Sequence, residues 1–406
     1  MNTSMKKEHL FALCWLTYVT AYLCRVNFSS AMEKLSSGLH ISLAQLGFIG
    51  SCFFFCYAVG QIINGFLGDR IMPSFFISIA ITLTGLLNLF MAGSSGYLSM
   101  IFIWSANGYI QSMLWGPIMR ILSARFRSDE RVKISIGMSS SMVAGFILSW
   151  TVFGRGFLKL SWNWYFAVPS LIALFFGAIW IFRSLKTDRS DKTAAPAVPS
   201  SSSSASHVSH TLAAVFFPDR IWLIALSCFC LGAIKESVSL WAPTLIARML
   251  CIDGKNSLFL AAVIPLFNMT GILASGTLIQ IFHGSSKKSL ITFFLLALVS
   301  SVLLFGYYDR NPYLSVFLIA IISGIMFGCN TILLSYIPIS FCAFHLVSTL
   351  VGIFDFMSYM GASISSFCLG TMISSGSFRS IFMFWIVTSG FAALFVFHFR
   401  LPDKYE

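Results

Sequence analysis

Apolar stretches of about 20 residues recur from one end of the chain to the other, each closed by a short polar segment. A helix of that length crosses a hydrocarbon core of roughly 30 Å, so the pattern predicts transmembrane helices; a β-barrel is excluded because its strands would read as short alternating segments. The predicted spans are 9–32, 43–67, 72–93, 97–122, 132–154 and 163–184, then 219–247, 256–282, 288–308, 313–337, 344–373 and 379–400. Between the sixth and seventh spans, Lys186 to His210 contains Ala-Ala-Pro-Ala-Val-Pro and a serine run. That composition cannot build a packed core and reads as a flexible linker. The expected organisation is an N-terminal six-helix bundle (1–185), a cytoplasmic Ser/Pro-rich linker (186–214) and a C-terminal six-helix bundle (215–406).

Composition agrees with this pattern. Of 406 residues, 57% are hydrophobic and only 10% are charged, and the mean hydropathy is +0.84. No soluble fold hides so much apolar surface, which makes the chain an all-α polytopic membrane protein. The formal net charge of +12 then reads as basic loops on one face of the membrane, not as a nucleic-acid footprint. With the N-terminus inside, Lys6, Lys7, Arg70, Arg120, Arg125, Arg127, Arg131, Lys133, Arg183 and Lys186 fall in cytoplasmic positions, whereas the opposite loops carry fewer cations. Both termini are thus expected in the cytoplasm and the protein in the inner (plasma) membrane. The start of the chain has no processing site of small residues, so the first apolar segment is expected to remain as a span. Ten cysteines lie mostly within spans without a CxxC spacing and read as small hydrophobic residues. Walker, GxSxG and HExxH patterns are missing from the sequence; neither enzyme activity nor a metal or other cofactor is expected.

The candidate chemistry starts at Arg25. A guanidinium at a bilayer centre costs roughly 2.5–3.5 kcal/mol on insertion scales and cannot shed its proton, so it must serve a purpose. Tyr18 and Tyr22 precede it by seven and three residues and share its helix face. In the second half, Lys235 sits 16 residues after Asp219, as Arg25 sits 16 after His9. Two bundles related by an axis along the membrane normal would bring these cations face to face across a cavity.

Several motifs resemble known families. Gly65-Phe-Leu-Gly-Asp69-Arg70 resembles the loop between spans two and three of the major facilitator superfamily, and implies that fold with Asp69 and Arg70 bracing a gate. Tyr22-Leu-Cys-Arg25-Val-Asn-Phe, Gln111-Ser-Met-Leu-Trp115-Gly-Pro117-Ile-Met-Arg120 and Lys235 followed by Trp241-Ala-Pro243-Thr244 resemble segments of the organophosphate:phosphate antiporter family, notably its glycerol-3-phosphate and hexose-phosphate members. Tyr57, Gln61 and Tyr359 also fit that family's pattern. The resemblance implies that Arg25 and Lys235 hold the substrate phosphate, with Tyr18, Tyr22, Tyr57, Gln61, Trp115 and Tyr359 along the path. An Arg fork plus an ammonium suits a group carrying between one and two negative charges. Val26, Gln61 and about Met142 stand where the family carries lysine, lysine and histidine, so the organic part of the substrate is not carried over.

The implied function is secondary active exchange of an organophosphate, of sugar-phosphate or glycerol-phosphate type, for inorganic phosphate by alternating access. The partners would be a phosphorylated small metabolite, inorganic phosphate and the lipid bilayer, with the protein acting as a monomer. Two alternatives stand beside it: a proton-coupled or uniport carrier of another organic anion, and a transporter-like sugar-phosphate sensor. Asp355, one turn before Tyr359, is expected to pair with Lys235, to hold helices together or to couple protons. Glu236, about 100° round the helix from Lys235, is expected to face a neighbouring helix.

Overall fold

The computed structural model describes residues 6–126, 130–153, 160–187, 220–340 and 347–399, and these residues form fifteen α-helices and no strand. The first half contains α1 (Lys7–Leu39), α2 (Leu43–Arg70), α3 (Pro73–Gly93), α4 (Tyr97–Gln111), α5 (Trp115–Arg125), α6 (Arg131–Ile147) and α7 (Trp164–Thr187). The second contains α8 (Ile221–Leu250), α9 (Gly254–Ala261), α10 (Ile264–Ile281), α11 (Ser286–Tyr307), α12 (Pro312–Thr331), α13 (Ile337–Ser340), α14 (Val347–Ser374) and α15 (Phe378–His398). Ten described helical stretches are long and apolar enough to cross a membrane, and a shorter apolar helix covers Ile136–Val152. The linker from residue 188 onward lies outside the described residues.

Three departures from twelve straight spans fall at prolines. The fourth span is two helices, α4 and α5, separated at Ser112–Leu114. Pro117 has no N–H for the carbonyl of Met113, and its ring crowds that carbonyl. Pro265 does the same to Ala261, the last residue of α9. Pro338 follows a π-helical stretch, Ile332–Tyr336, at the end of α12. A second π stretch, Leu148–Phe153, extends α6.

Pro169 stays inside α7 because its orphan is adopted: the Tyr165 carbonyl accepts Asn27 Nδ2 at 3.1 Å. In lipid a freed backbone carbonyl must find such a partner inside the protein.

The halves meet mainly through α2 against α14 and α1 against α8, while α8 and α14 pack closely within the second half. That last contact is backbone to backbone. A Cβ at Gly232 would overlap the Ser358 carbonyl, and one at Gly361 the Phe229 carbonyl. Small residues permit this approach where van der Waals packing, not water exclusion, holds helices together.

Polar contacts between the halves concentrate toward the end of the bundle opposite the N-terminus. Ser29 donates to the Leu240 carbonyl at 2.6 Å, the Ser51 and Ser363 hydroxyls lie 3.0 Å apart, and the Ala44 N–H donates to Ser374 Oγ at 3.1 Å. Glu33 and Arg248 pair at 3.3 Å farther out on the same side. The molecule is therefore drawn together at one end.

Candidate functional site

The middle of α1 supplies Arg25, and the middle of α8 supplies Lys235 and Glu236. Glu236 joins the two cations. Its Oε2 accepts from Arg25 Nη2 at 3.1 Å, and its Oε1 lies 3.0 Å from Lys235 Nζ. The three residues are 9%, 8% and 5% exposed for Arg25, Lys235 and Glu236, which makes this a buried ion triad spanning both halves. Lys235 Nζ also donates to Asn330 Oδ1 at 3.0 Å, and Arg25 Nη1 donates to the Tyr359 hydroxyl at 3.5 Å.

Aromatic rings enclose the guanidinium. Arg25 Cζ lies 5.1 Å from the ring centre of Tyr57, 5.4 Å from those of Phe53, Phe54 and Tyr359, and 5.5 Å from that of Tyr22. A cation over a desolvated ring face gains about 0.5–2 kcal/mol, so these faces offset part of the water that Arg25 gives up. Lys235 shares the Tyr359 ring at 5.9 Å and meets Phe327 at 5.4 Å.

The aromatic wall continues toward the N-terminal end. Tyr18 lies 5.4 Å from Tyr22 and 4.9 Å from Trp115, between ring centres. The Tyr22 hydroxyl donates to the Met142 sulfur at 3.0 Å. Met142 occupies the position where the resemblance placed a histidine, and a thioether accepts a hydrogen bond but carries no charge.

A polar knot fixes the turn of α1 that bears Arg25. The carbonyl of Cys24 accepts Asn88 Nδ2 at 3.2 Å, Asn107 Nδ2 at 3.2 Å and Gln111 Nε2 at 3.1 Å. Asn27 Nδ2 then donates to Asn88 Oδ1 at 2.7 Å. Buried amides are costly unless satisfied, and satisfied they specify one arrangement. Gln111, the first residue of the motif in span four, thus positions the arginine without touching it.

Of the residues singled out from sequence, Arg25, Lys235, Tyr18, Tyr22, Tyr57, Trp115 and Tyr359 form one connected cluster. Gln61 lies one turn beyond Tyr57, half-buried, and makes no hydrogen bond among the described residues. Asp69 and Arg70 end α2, but their side chains lie outside the described residues. What is seen at that corner is Arg120 Nη1, which donates to the carbonyls of Gly68 at 2.6 Å and Ile71 at 3.3 Å and so caps the C-terminus of α2.

Two expectations are corrected. Glu236 does not turn toward a neighbouring helix away from the site: a 100° step separates the Cβ atoms of adjacent residues, yet long side chains can bend back and meet at their tips. Asp355 forms no ion pair among the described residues and is half-buried. Of the three roles expected of Asp355, the pairing with Lys235 is filled by Glu236. Asn330 was not singled out at all. Its one signal is an isolated amide in the apolar run Ile325-Met-Phe-Gly-Cys-Asn330.

Comparison with known proteins agrees with this architecture. A probable hexose phosphate transport protein of Chlamydia muridarum is 21% identical over 410 residues, covering 96% of this chain and 90% of that protein. The phosphoglycerate transporter protein of Salmonella typhimurium is 23% identical over 383 residues, covering 88% and 81%. Among solved structures, a D-xylose-proton symporter superposes with a TM-score of 0.76 at 13% identity, covering 97% of this chain and 98% of that one; at that identity the likeness concerns the fold. These three are transporters by name, not enzymes, and a membrane sensor protein of Escherichia coli is 26% identical over 127 residues, covering 31% of this chain and 28% of that protein. The model of the Major Facilitator Superfamily matches residues 14–366, and the chain belongs to that superfamily.

Proposed function

We propose that this protein is a secondary carrier of phosphorylated metabolites of sugar-phosphate or glycerol-phosphate type, exchanging them for inorganic phosphate by alternating access. The observation that carries the reading is the convergence of Arg25 and Lys235, one from each half, onto a single carboxylate at the buried centre of the bundle. A carboxylate there presents one oxygen to each cation, and two oxygens of a phosphate group can take the same places. Arg25 serves as the fork and Lys235 as the point charge. Tyr18, Tyr22, Tyr57, Trp115 and Tyr359 line the approach, with Gln61 and Asp355 half-buried beside it. The names of relatives that span most of the chain, a hexose phosphate carrier and a phosphoglycerate carrier, support a phosphorylated substrate.

In this reading the two bundles (1–185 and 215–406) rock about the site, and the linker 186–214 joins them on the cytoplasmic side. The protein resides as a monomer in the inner membrane with both termini in the cytoplasm. The contacts between halves then close the external side and leave the cytoplasmic side as the point of entry.

The test is transport by purified protein in phosphate-filled liposomes, following labelled phosphate against external glycerol-3-phosphate, glucose-6-phosphate and phosphoglycerate. Exchange with one of the three is expected. If none exchanges, the carrier reading fails, and saturable binding of glucose-6-phosphate without flux would assign the protein to sensing.

A further inference from the structure

We infer that Glu236 is a resident counter-anion that bridges the binding cations and offsets half of their charge whenever phosphate leaves, so that the unloaded protein can reorient and net one-way transport of phosphate compounds accompanies exchange. The inference rests on the proposed function and adds an activity that tightly coupled exchange would forbid.

The argument starts from the energy of buried ions. Two cations facing each other in a low-dielectric site, without an anion, each carry a desolvation penalty of several kcal/mol. A carrier with two such bare cations cannot close around an unloaded site, and exchange becomes obligatory for that reason. Here the penalty is met from within the chain. Glu236 places Oε2 3.1 Å from Arg25 Nη2 and Oε1 3.0 Å from Lys235 Nζ, so one carboxylate satisfies both cations with separate oxygens. The remaining donors find neutral acceptors in Asn330 and Tyr359. The triad is left with a single net positive charge, and ring faces surround the cation that lies between the halves.

Connectivity determines when this works. Glu236 is the residue next to Lys235 and travels with the second half, whereas Arg25 travels with the first. The Arg25–Glu236 bond therefore forms as the halves come together, the step in which an unloaded carrier would otherwise stall. Phosphate must displace the carboxylate from both cations to bind, which makes Glu236 a competitor for the site as well as its counter-anion. Asp355 does not bridge the two cations, since it forms an ion pair with neither among the described residues.

The experiment compares two fluxes of labelled inorganic phosphate in liposomes holding the full-length protein, with potassium and valinomycin clamping the membrane potential. One set is loaded with unlabelled phosphate and reports exchange; the other is loaded with a zwitterionic buffer and reports net entry. The expected result for the wild type is net entry within about tenfold of exchange. For Glu236→Gln the ratio of exchange to net entry should rise at least tenfold, whatever happens to the absolute rates, and half-saturation for phosphate should fall. Exchange without net entry in the wild type overturns the inference and leaves the carrier reading standing; this arm needs no variant and stays decisive if Glu236→Gln does not fold. An unchanged ratio in a folded Glu236→Gln also overturns it. If the panel of phosphate compounds shows neither flux, the carrier reading itself falls.

Discussion

The two cations at the site are not equivalent, and their surroundings say how each will respond to substitution. Arg25 uses two guanidinium nitrogens, toward Glu236 and Tyr359, and sits among five ring faces; Lys235 uses a single Nζ held between Glu236 and Asn330. Arg25→Lys should therefore lower the initial exchange rate by at least about tenfold, because a point charge cannot make both contacts. Lys235→Arg should retain a larger share, and equal losses in the two variants would show that the asymmetry has no functional weight. Asn330→Ala removes an acceptor from Lys235 and leaves its ammonium to wander. A hydrogen bond to a charged group contributes about 1.5–3 kcal/mol, so half-saturation for phosphate should rise roughly tenfold or more, read from the concentration dependence of exchange. Arg25 and Lys235 were legible in the sequence because a charge in an apolar run is rare and their depths match. Glu236 was misread because helical angles describe where a side chain leaves the backbone, not where a long one ends. Asn330 went unnoticed because a neutral amide costs less in a span than a charge, and no motif surrounds it.

Proline explains at the level of helices what hydropathy could not reveal. Averaging over a spanning window located the segments but smoothed over the breaks before Pro117 and Pro265 and the π stretch before Pro338. In α7 the proline is tolerated because Asn27 reaches across from α1 to the freed Tyr165 carbonyl. That pairing is testable as a cycle. Asn27→Leu should destabilise the detergent-solubilised protein by about 1–3 kcal/mol, since it strands buried polar groups, and lower its midpoint of thermal unfolding. Adding Pro169→Ala restores an N–H four residues beyond Tyr165, and should recover part of that loss. Strict additivity of the two changes would separate Asn27 from the proline. Gly232→Ala should also destabilise, because the Ser358 backbone occupies the space a methyl needs. Overpacking of this kind costs typically about 1–3 kcal/mol.

The twofold plan of the whole molecule could be read from six spans, a serine-rich interval and six more, whereas the end at which the halves are drawn together could not. Closure depends on pairs such as Ser51 with Ser363 and Ala44 with Ser374, small residues with no signature of their own in a span. These contacts bring α2 and α14 together from the end opposite the N-terminus down to the tilted rings of Tyr57 and Tyr359, whose centres are 4.2 Å apart. An alternating carrier must break that seam once per cycle, because the site between Arg25 and Lys235 can open to the other side only if α2 and α14 part. A covalent bond across the seam should thus stop transport without touching the site. Ser51→Cys combined with Ser363→Cys, in a background whose accessible native cysteines are replaced, is expected to form a disulfide on mild oxidation, since the two hydroxyls already lie 3.0 Å apart. Exchange should fall at least tenfold on oxidation and return on reduction, while phosphate binding from the N-terminal end persists. Full exchange in a protein shown by mass spectrometry to be cross-linked would mean that the halves do not part along this seam, and the opening motion would have to be sought elsewhere in the bundle.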